Sequence, residues 1–369
     1  MSADVLALAT PGVRGLSPYQ PGKPIEELER EYGVRNAIKL ASNENPLGPS
    51  PKALAAARAA LADIQRYPDG NGFVLKAALA RHLGVDVAQL TLGNGSNDVL
   101  EFAARGFATP EHEIVFSAHA FAVYPIATQA VGARAVITPA RDWGHDLAAM
   151  RAAVNGRTRV VFVANPNNPT GTWMPAKELE AFILDLPDHV IAVIDEAYFE
   201  YVEEAVYASM LPLVQRCPNL IVMRTFSKAY GLAGLRVGYA VSSPALADVL
   251  NRVRQPFNVN SVALAAAAAA LDDPEHVRQA AALNRAGMQR VTAGVAALGL
   301  TTIPSVANFV CIDVGRPALP VYEALLRQGV IVRPVANYGM PNHLRVTIGL
   351  PQENERFLQA LETVLRSGR

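Results

Sequence analysis

Seven short apolar runs constrain this chain more than any other feature. They fall at residues 89–92, 113–116, 135–138, 159–164, 190–194, 220–224 and 237–241, and helical patterns separate most of them. Most are continuously apolar, as strands covered on both faces must be, rather than alternating as in a sheet with one wet face. Strands spaced by helices predict an α/β fold, a doubly wound and mostly parallel seven-stranded sheet. With 369 residues the chain is too long for one ordinary core and suits two packed domains. The first fifty residues, rich in Pro and Gly, read as an arm (1–50) serving a small domain and a dimer contact. A large domain follows (51–265), with helices at 51–63 and 72–83. A smaller αβ unit (266–369) closes the chain, with strands at 308–313, 329–334 and 343–348.

Composition excludes several function classes. Basic and acidic residues balance at 33 each, so nothing points to nucleic acid or an anionic membrane. The longest apolar run, 261–271, is alanine-rich and far too short to span a bilayer, and reads as a helix buried at a domain or subunit contact. Residues 1–11 lack the basic start and apolar core of a signal peptide. Cys217 and Cys311 are too few for a disulfide framework or a metal cluster, and read as buried apolar groups in a reducing cytoplasm.

In open α/β sheets, ligands sit beyond the carboxyl ends of the strands. Four polar clusters stand there: Gly93-Asn-Gly-Ser-Asn-Asp98, Asn165-Pro-Asn-Asn-Pro-Thr-Gly171, Asp195-Glu-Ala-Tyr198 and Thr225-Phe-Ser-Lys228. Of the six lysines, only Lys228 follows a strand in surroundings that do not favour a solvated cation. A lysine that attacks an aldehyde needs desolvation to be uncharged near neutral pH; the alternative is a lysine binding an ordinary phosphate. Thr225, Ser227 and Arg236 offer hydroxyls and a planar fork for a phosphate, and the backbone at Ser96 and Asn97 opens a helix whose positive end favours an anion. Gly93-x-Gly95 lacks the third glycine of a dinucleotide site, and no GxxxxGK[ST] loop is present. Asp195 closes an apolar strand, where a carboxylate needs a cationic or hydrogen-bonding partner such as a protonated pyridine nitrogen. It reads otherwise as a cap or a metal ligand, the metal being disfavoured because no His or second carboxylate accompanies it. Glu196 is expected on the opposite face. Tyr198 and Asn168 are placed to hydrogen-bond a ring oxygen, and Tyr124 either stacks on the ring or packs in the core.

These motifs, with Ser42-Asn-Glu-Asn-Pro-Leu-Gly48, Arg66-Tyr-Pro-Asp69 and Leu344-Arg-Val-Thr-Ile-Gly349, resemble fold-type I aminotransferases dependent on pyridoxal 5′-phosphate, and within them the histidinol-phosphate aminotransferases. The resemblance covers nearly the whole chain. It implies that Lys228 is the Schiff-base lysine and Asp195 the pyridine partner. By the same resemblance Tyr198 and Asn168 are ligands of the ring oxygen, Tyr124 the stacking aromatic, and Thr225, Ser227, Arg236, Ser96 and Asn97 the phosphate cup. Asn97 stands where many members have Asp. Arg345 and Arg333 match arginines that grip the anionic groups of the substrate, with Arg333 also open to a structural ion pair, and Tyr19 matches a hydroxyl donor from the arm. Tyr67 matches a tyrosine that reaches the cofactor phosphate of the neighbouring subunit, which implies a homodimer with shared sites. The implied reaction is transamination between histidinol phosphate and 2-oxoglutarate. An aromatic-amino-acid aminotransferase, a threonine-phosphate decarboxylase and a non-enzymatic cofactor-binding regulator are the alternatives.

Overall fold

A computed structural model describes residues 4–367. Residues 1–3, at the start of the stretch read above as no signal peptide, and 368–369, at the end of the closing unit, lie outside the described residues. All seven expected strands form: β1 (Leu90–Gly93), β2 (Glu113–Ser117), β3 (Arg134–Thr138), β4 (Thr158–Ala164), β5 (Ile191–Asp195), β6 (Leu220–Thr225) and β7 (Gly238–Ser242). They make one sheet in the order β1-β7-β6-β5-β4-β2-β3, in which only β7 runs antiparallel to its neighbours.

The continuous apolar runs have the predicted cause. Alternate residues of β4 feed two different cores, Val161 and Val163 on one face and Val160 and Phe162 on the other. Helices cover both, so neither face of the strand is wet. The alanine-rich helix Ser261–Leu271 packs on the helices Pro51–Ala60 and Phe73–Leu83, where small side chains allow close approach. Among the described residues no helix is long and apolar enough to cross a membrane.

A second, antiparallel sheet comprises β8 (Thr301–Ile303), β9 (Phe309–Asp313), β10 (Arg333–Pro334) and β11 (His343–Thr347), in the order β8-β9-β11-β10. The expected strand at 329–334 divides in two. Its first part, Val330–Ile331, pairs instead with Ile38–Lys39 of the first fifty residues. Those residues also carry a helix, Ile25–Tyr32, that the sequence reading did not place. It buries a single side chain, Leu28, against Ala41, Leu326 and Ile331, too little apolar repetition to show as periodicity.

Candidate active site

The carboxyl ends of β1, β4, β5 and β6 open into a cleft that the second sheet and the segment around Tyr19 close from above. Every expected site residue lines it except Tyr124 and Tyr67.

At one end the helix Asn97–Phe107 starts in the cleft. Asp98 fixes the approach to it by accepting the Asn94 N–H at 2.8 Å. Opposite, the Ser227 N–H donates to Thr225 Oγ1 at 3.1 Å, and Arg236 Nη1 donates to Ser227 Oγ at 3.2 Å. The Arg236 fork lies on the backbone of Gly95, where an added Cβ would meet Nη2 at 2.3 Å and where φ is +77°. Glycine at 95 lets the guanidinium lie flat beside the helix start. N–H groups, two hydroxyls and a guanidinium converge there, which suits a phosphate dianion.

Lys228 stands in the middle of the cleft, its Nζ donating to the Ser42 carbonyl at 3.1 Å. Burial, and then the nearby Arg345 guanidinium, push its amine down to about 7. Near neutral pH a large share of such an amine is unprotonated and nucleophilic.

Asp195 is buried at the end of β5. Its Oδ1 accepts the Ala197 N–H at 3.1 Å and its Oδ2 accepts the Tyr124 hydroxyl at 3.2 Å. Burial pushes the carboxyl up to about 6 against those bonds. Such a carboxylate favours a cationic ligand beside it. Glu196 faces the other side of the sheet, as expected, and pairs there with Arg224.

Tyr124 does not stack over the cleft. It is fully buried within the helix Val123–Ala130, face to face with Phe162 at 4.8 Å. The aromatic that lines the cleft is Phe121, three residues earlier, which meets the Tyr124 ring edge-on at 5.9 Å. The helix turns Tyr124 back onto the sheet, whereas Phe121 precedes the helix. The sequence signal is an aromatic just past β2, and it does not distinguish Phe121 from Tyr124.

Above Lys228, the Tyr198 hydroxyl accepts from Asn43 Nδ2 at 2.9 Å, and its ring packs edge-on to Phe309 at 5.2 Å. Asn43 lines the cleft too; it belongs to the Ser42–Gly48 motif quoted above, where no role was assigned to it. Arg345 Nη1 donates to Asn168 Oδ1 at 2.5 Å and Nη2 to the Ala41 carbonyl at 2.8 Å, while its buried Nε has no partner among the described residues. Arg333 Nη2 donates to the Gln20 carbonyl at 2.5 Å, and its guanidinium lies 5.7 Å from the Tyr19 ring centre. Tyr67 lies outside the cleft, 83% exposed and stacked on Phe257.

The sequence matches the aminotransferase class I and II family over residues 35–361. The chain belongs to that family. It is 63% identical over 370 residues to histidinol-phosphate aminotransferase 2 of Pseudomonas fluorescens (strain Pf0-1), covering 100% of both chains. It is 64% identical over 365 residues to the Pseudomonas aeruginosa PAO1 protein of the same name, covering 98% of this chain and 99% of that one. Its fold matches the crystal structure of histidinol-phosphate aminotransferase from Sinorhizobium meliloti in complex with pyridoxal-5′-phosphate, with a TM-score of 0.91, 33% identity and 98% of each chain covered. This aminotransferase uses pyridoxal 5′-phosphate, and its cleft fits that group. The anion cup, the Lys228 amine of lowered proton affinity and the buried carboxylate line one cleft with the aromatic wall of Phe121, as a flat pyridine aldehyde carrying a phosphate requires.

Proposed function

We propose that this aminotransferase transfers the amino group of L-histidinol phosphate to 2-oxoglutarate, giving imidazole acetol phosphate and L-glutamate in histidine biosynthesis. One observation carries the reading. Arg333 and Arg345 are directly opposed cross-strand partners on β10 and β11, both lining the cleft, and among the described residues neither has a carboxylate partner. Like charges placed opposite one another destabilise a sheet, so the pair is suited to an anionic ligand. The phosphate of one substrate and a carboxylate of the other fit the same two forks. The names of the relatives support the same substrate.

Lys228, Asp195, Tyr198, Asn168 and the Thr225–Ser227–Arg236 cup hold the cofactor, with Ser96 and Asn97 at its phosphate. When bound, pyridoxal phosphate supplies a conjugated electron sink for the carbon that loses its proton. Lys228 is the tether and also the base, since its depressed proton affinity lets the free amine take that proton from the substrate near neutral pH. Asp195 keeps a positive charge at the ring nitrogen. Tyr198 and Asn168 donate to the ring oxygen, and Tyr19 closes the cleft over the substrate.

We also infer a homodimer with shared sites. Tyr67 is exposed and does not line its own cleft, and the nearby residues Ile64 and Phe73 in the chain expose apolar side chains as well. Mixed dimers of Lys228→Ala and Tyr67→Ala chains should recover cofactor affinity and turnover that neither variant has alone. A large and a small unit are part of the same proposal, supported by separate apolar clusters in the two sheets; the helix Ser261–Leu271 belongs to the large cluster throughout, which moves the boundary from residue 265 to beyond Leu271. A cytoplasmic location is supported by two buried, unpaired cysteines.

A half-reaction screen tests the substrate. The loaded enzyme is mixed with histidinol phosphate, phenylalanine, tyrosine or threonine phosphate, and loss of the bound cofactor's visible band is followed. Fast loss with histidinol phosphate is expected; fast loss with phenylalanine and none with histidinol phosphate overturns the proposal.

A further inference from the structure

Tyr124, expected to stack in the cleft, lies behind its wall and touches two of its residues at once, Asp195 and Phe121. Its hydroxyl donates to Asp195 Oδ2 at 3.2 Å. Its ring is clamped by Phe162 on one face and supports Phe121 edge-on. Its own carbonyl accepts from the buried Thr128 hydroxyl at 2.7 Å, so the first helical turn that carries it is tied down as well. The Ala197 N–H holds the other carboxylate oxygen. Both oxygens of Asp195 therefore have a fixed donor, and the carboxylate plane cannot turn without breaking one of them.

We propose that Tyr124 is a positioning residue for the cofactor ring, orienting the Asp195 carboxylate through its hydroxyl and the Phe121 wall through its ring. The inference rests on Asp195 being the partner of the ring nitrogen. Donation to the charged form of a buried carboxylate also holds down its proton affinity. The other groups facing Asp195 are the Lys228 amine, the Glu196 carboxylate across the strand, and the Tyr198 and Tyr207 phenols. Lys228 alone among these can carry positive charge, and its charge is already suppressed by burial. The Tyr124 hydroxyl is thus the side-chain donor that keeps Asp195 ionised for a cationic ring nitrogen.

Tyr124→Phe keeps the ring, its stacking and its volume, and removes only the hydroxyl. Asp195 then becomes the more basic partner and draws the shared proton away from the ring nitrogen. With less positive charge on the ring, the conjugated nitrogen at Lys228 holds its own proton more tightly. The acid–base midpoint of the visible band in the loaded enzyme should move up by about half a pH unit or more, a threefold change in proton affinity. Turnover number should fall about threefold to tenfold, the range of one net hydrogen bond, with KM for the amino donor changed less than twofold.

The loaded Asp195→Asn variant is titrated beside it. A midpoint displaced by Asp195→Asn and by Tyr124→Phe in the same direction supports the proposal. A midpoint displaced by Asp195→Asn alone overturns the role of Tyr124 and leaves that of Asp195 standing. A midpoint unmoved by either overturns the placement of Asp195 at the ring, and the proposal with it. A lower melting temperature for Tyr124→Phe with an unchanged titration identifies the tyrosine as a packing group only and overturns the positioning role.

Discussion

Glu196 and Arg224 form a buried ion pair, 2.9 Å between Oε2 and Nη2, on the face of the sheet turned away from the cleft. Each is the chain neighbour of a cleft residue, Asp195 on β5 and Thr225 on β6, so the pleat sends one of each pair to either side. Glu196 is further held by Ser209 and the Met210 N–H, and the Arg224 guanidinium lies on the Phe199 ring at 3.7 Å. The pair ties together the two strand ends that carry the cofactor contacts.

Arg224→Met should therefore destabilise the protein by about 3–5 kcal/mol, because it leaves a buried carboxylate without its cation. Thermal unfolding of the loaded enzyme measures this. An unchanged melting temperature would show that the pair does not hold the strand ends.

Gly95→Ala should weaken cofactor binding by tenfold or more, about 1.4 kcal/mol. The added methyl would sit 2.3 Å from Arg236 Nη2, at a residue with φ of +77°, so the guanidinium must leave its place over the phosphate cup. Equilibrium titration of the cofactor-free protein with pyridoxal phosphate gives the affinity directly. Gly234→Ala, where an added Cβ meets nothing within 4 Å, is the control expected to bind normally.

Lys228 gives the cofactor-free protein a characteristic pH dependence. Its amine is pushed down to about 7 by burial, from 10.5 in an exposed lysine. Between those values the unfolded chain binds a proton that the folded chain does not, so stability contributed by this group rises with pH from about 7 to about 10. Below about 7 the full cost of charging the buried amine is present. Lys228→Met should be more stable than the parent at pH 6, and that advantage should shrink as pH rises to 10. Urea unfolding at a series of pH values measures the difference; a constant offset would contradict the burial of an uncharged amine.

Arg345→Lys should raise KM for both the amino donor and 2-oxoglutarate, by about tenfold or more, since an ammonium cannot reproduce the planar fork. Arg345 also bonds Asn168 and the Ala41 carbonyl, so the lysine variant should loosen the link between the two sheets at the cleft. Steady-state kinetics with each substrate varied in turn tests this. A change confined to one substrate would show that the two do not share the Arg345 site.

Much of this was legible in the sequence because the relevant signals are local. A run such as that of β5 has no polar position, and a charged residue at its end has few structural excuses, which marked Asp195. Lys228 stood out among the lysines for the same reason. What the sequence could not show depends on direction rather than identity. Phe121 and Tyr124 are aromatics three residues apart, and which of them faces the cleft is decided by where the helix Val123–Ala130 begins. The helix Ile25–Tyr32 hid because one buried leucine makes no periodic pattern. The division of 329–334 between two partners depends on Ile38–Lys39, nearly three hundred residues away. Asn43 was visible as part of a motif, but its bond to Tyr198 follows from the same long-range closure.

The central claim is that Lys228 is the residue to which the cofactor is covalently joined. Borohydride reduction of the loaded enzyme, followed by digestion and mass spectrometry, reads this directly, because the chain has only six lysines to distinguish. The pyridoxyl phosphate increment should fall on the peptide containing Lys228, and Lys228→Ala should lose both the increment and the visible band. An increment on Lys23, Lys39, Lys52, Lys76 or Lys177, or a Lys228→Ala variant that keeps full transamination, would contradict the account.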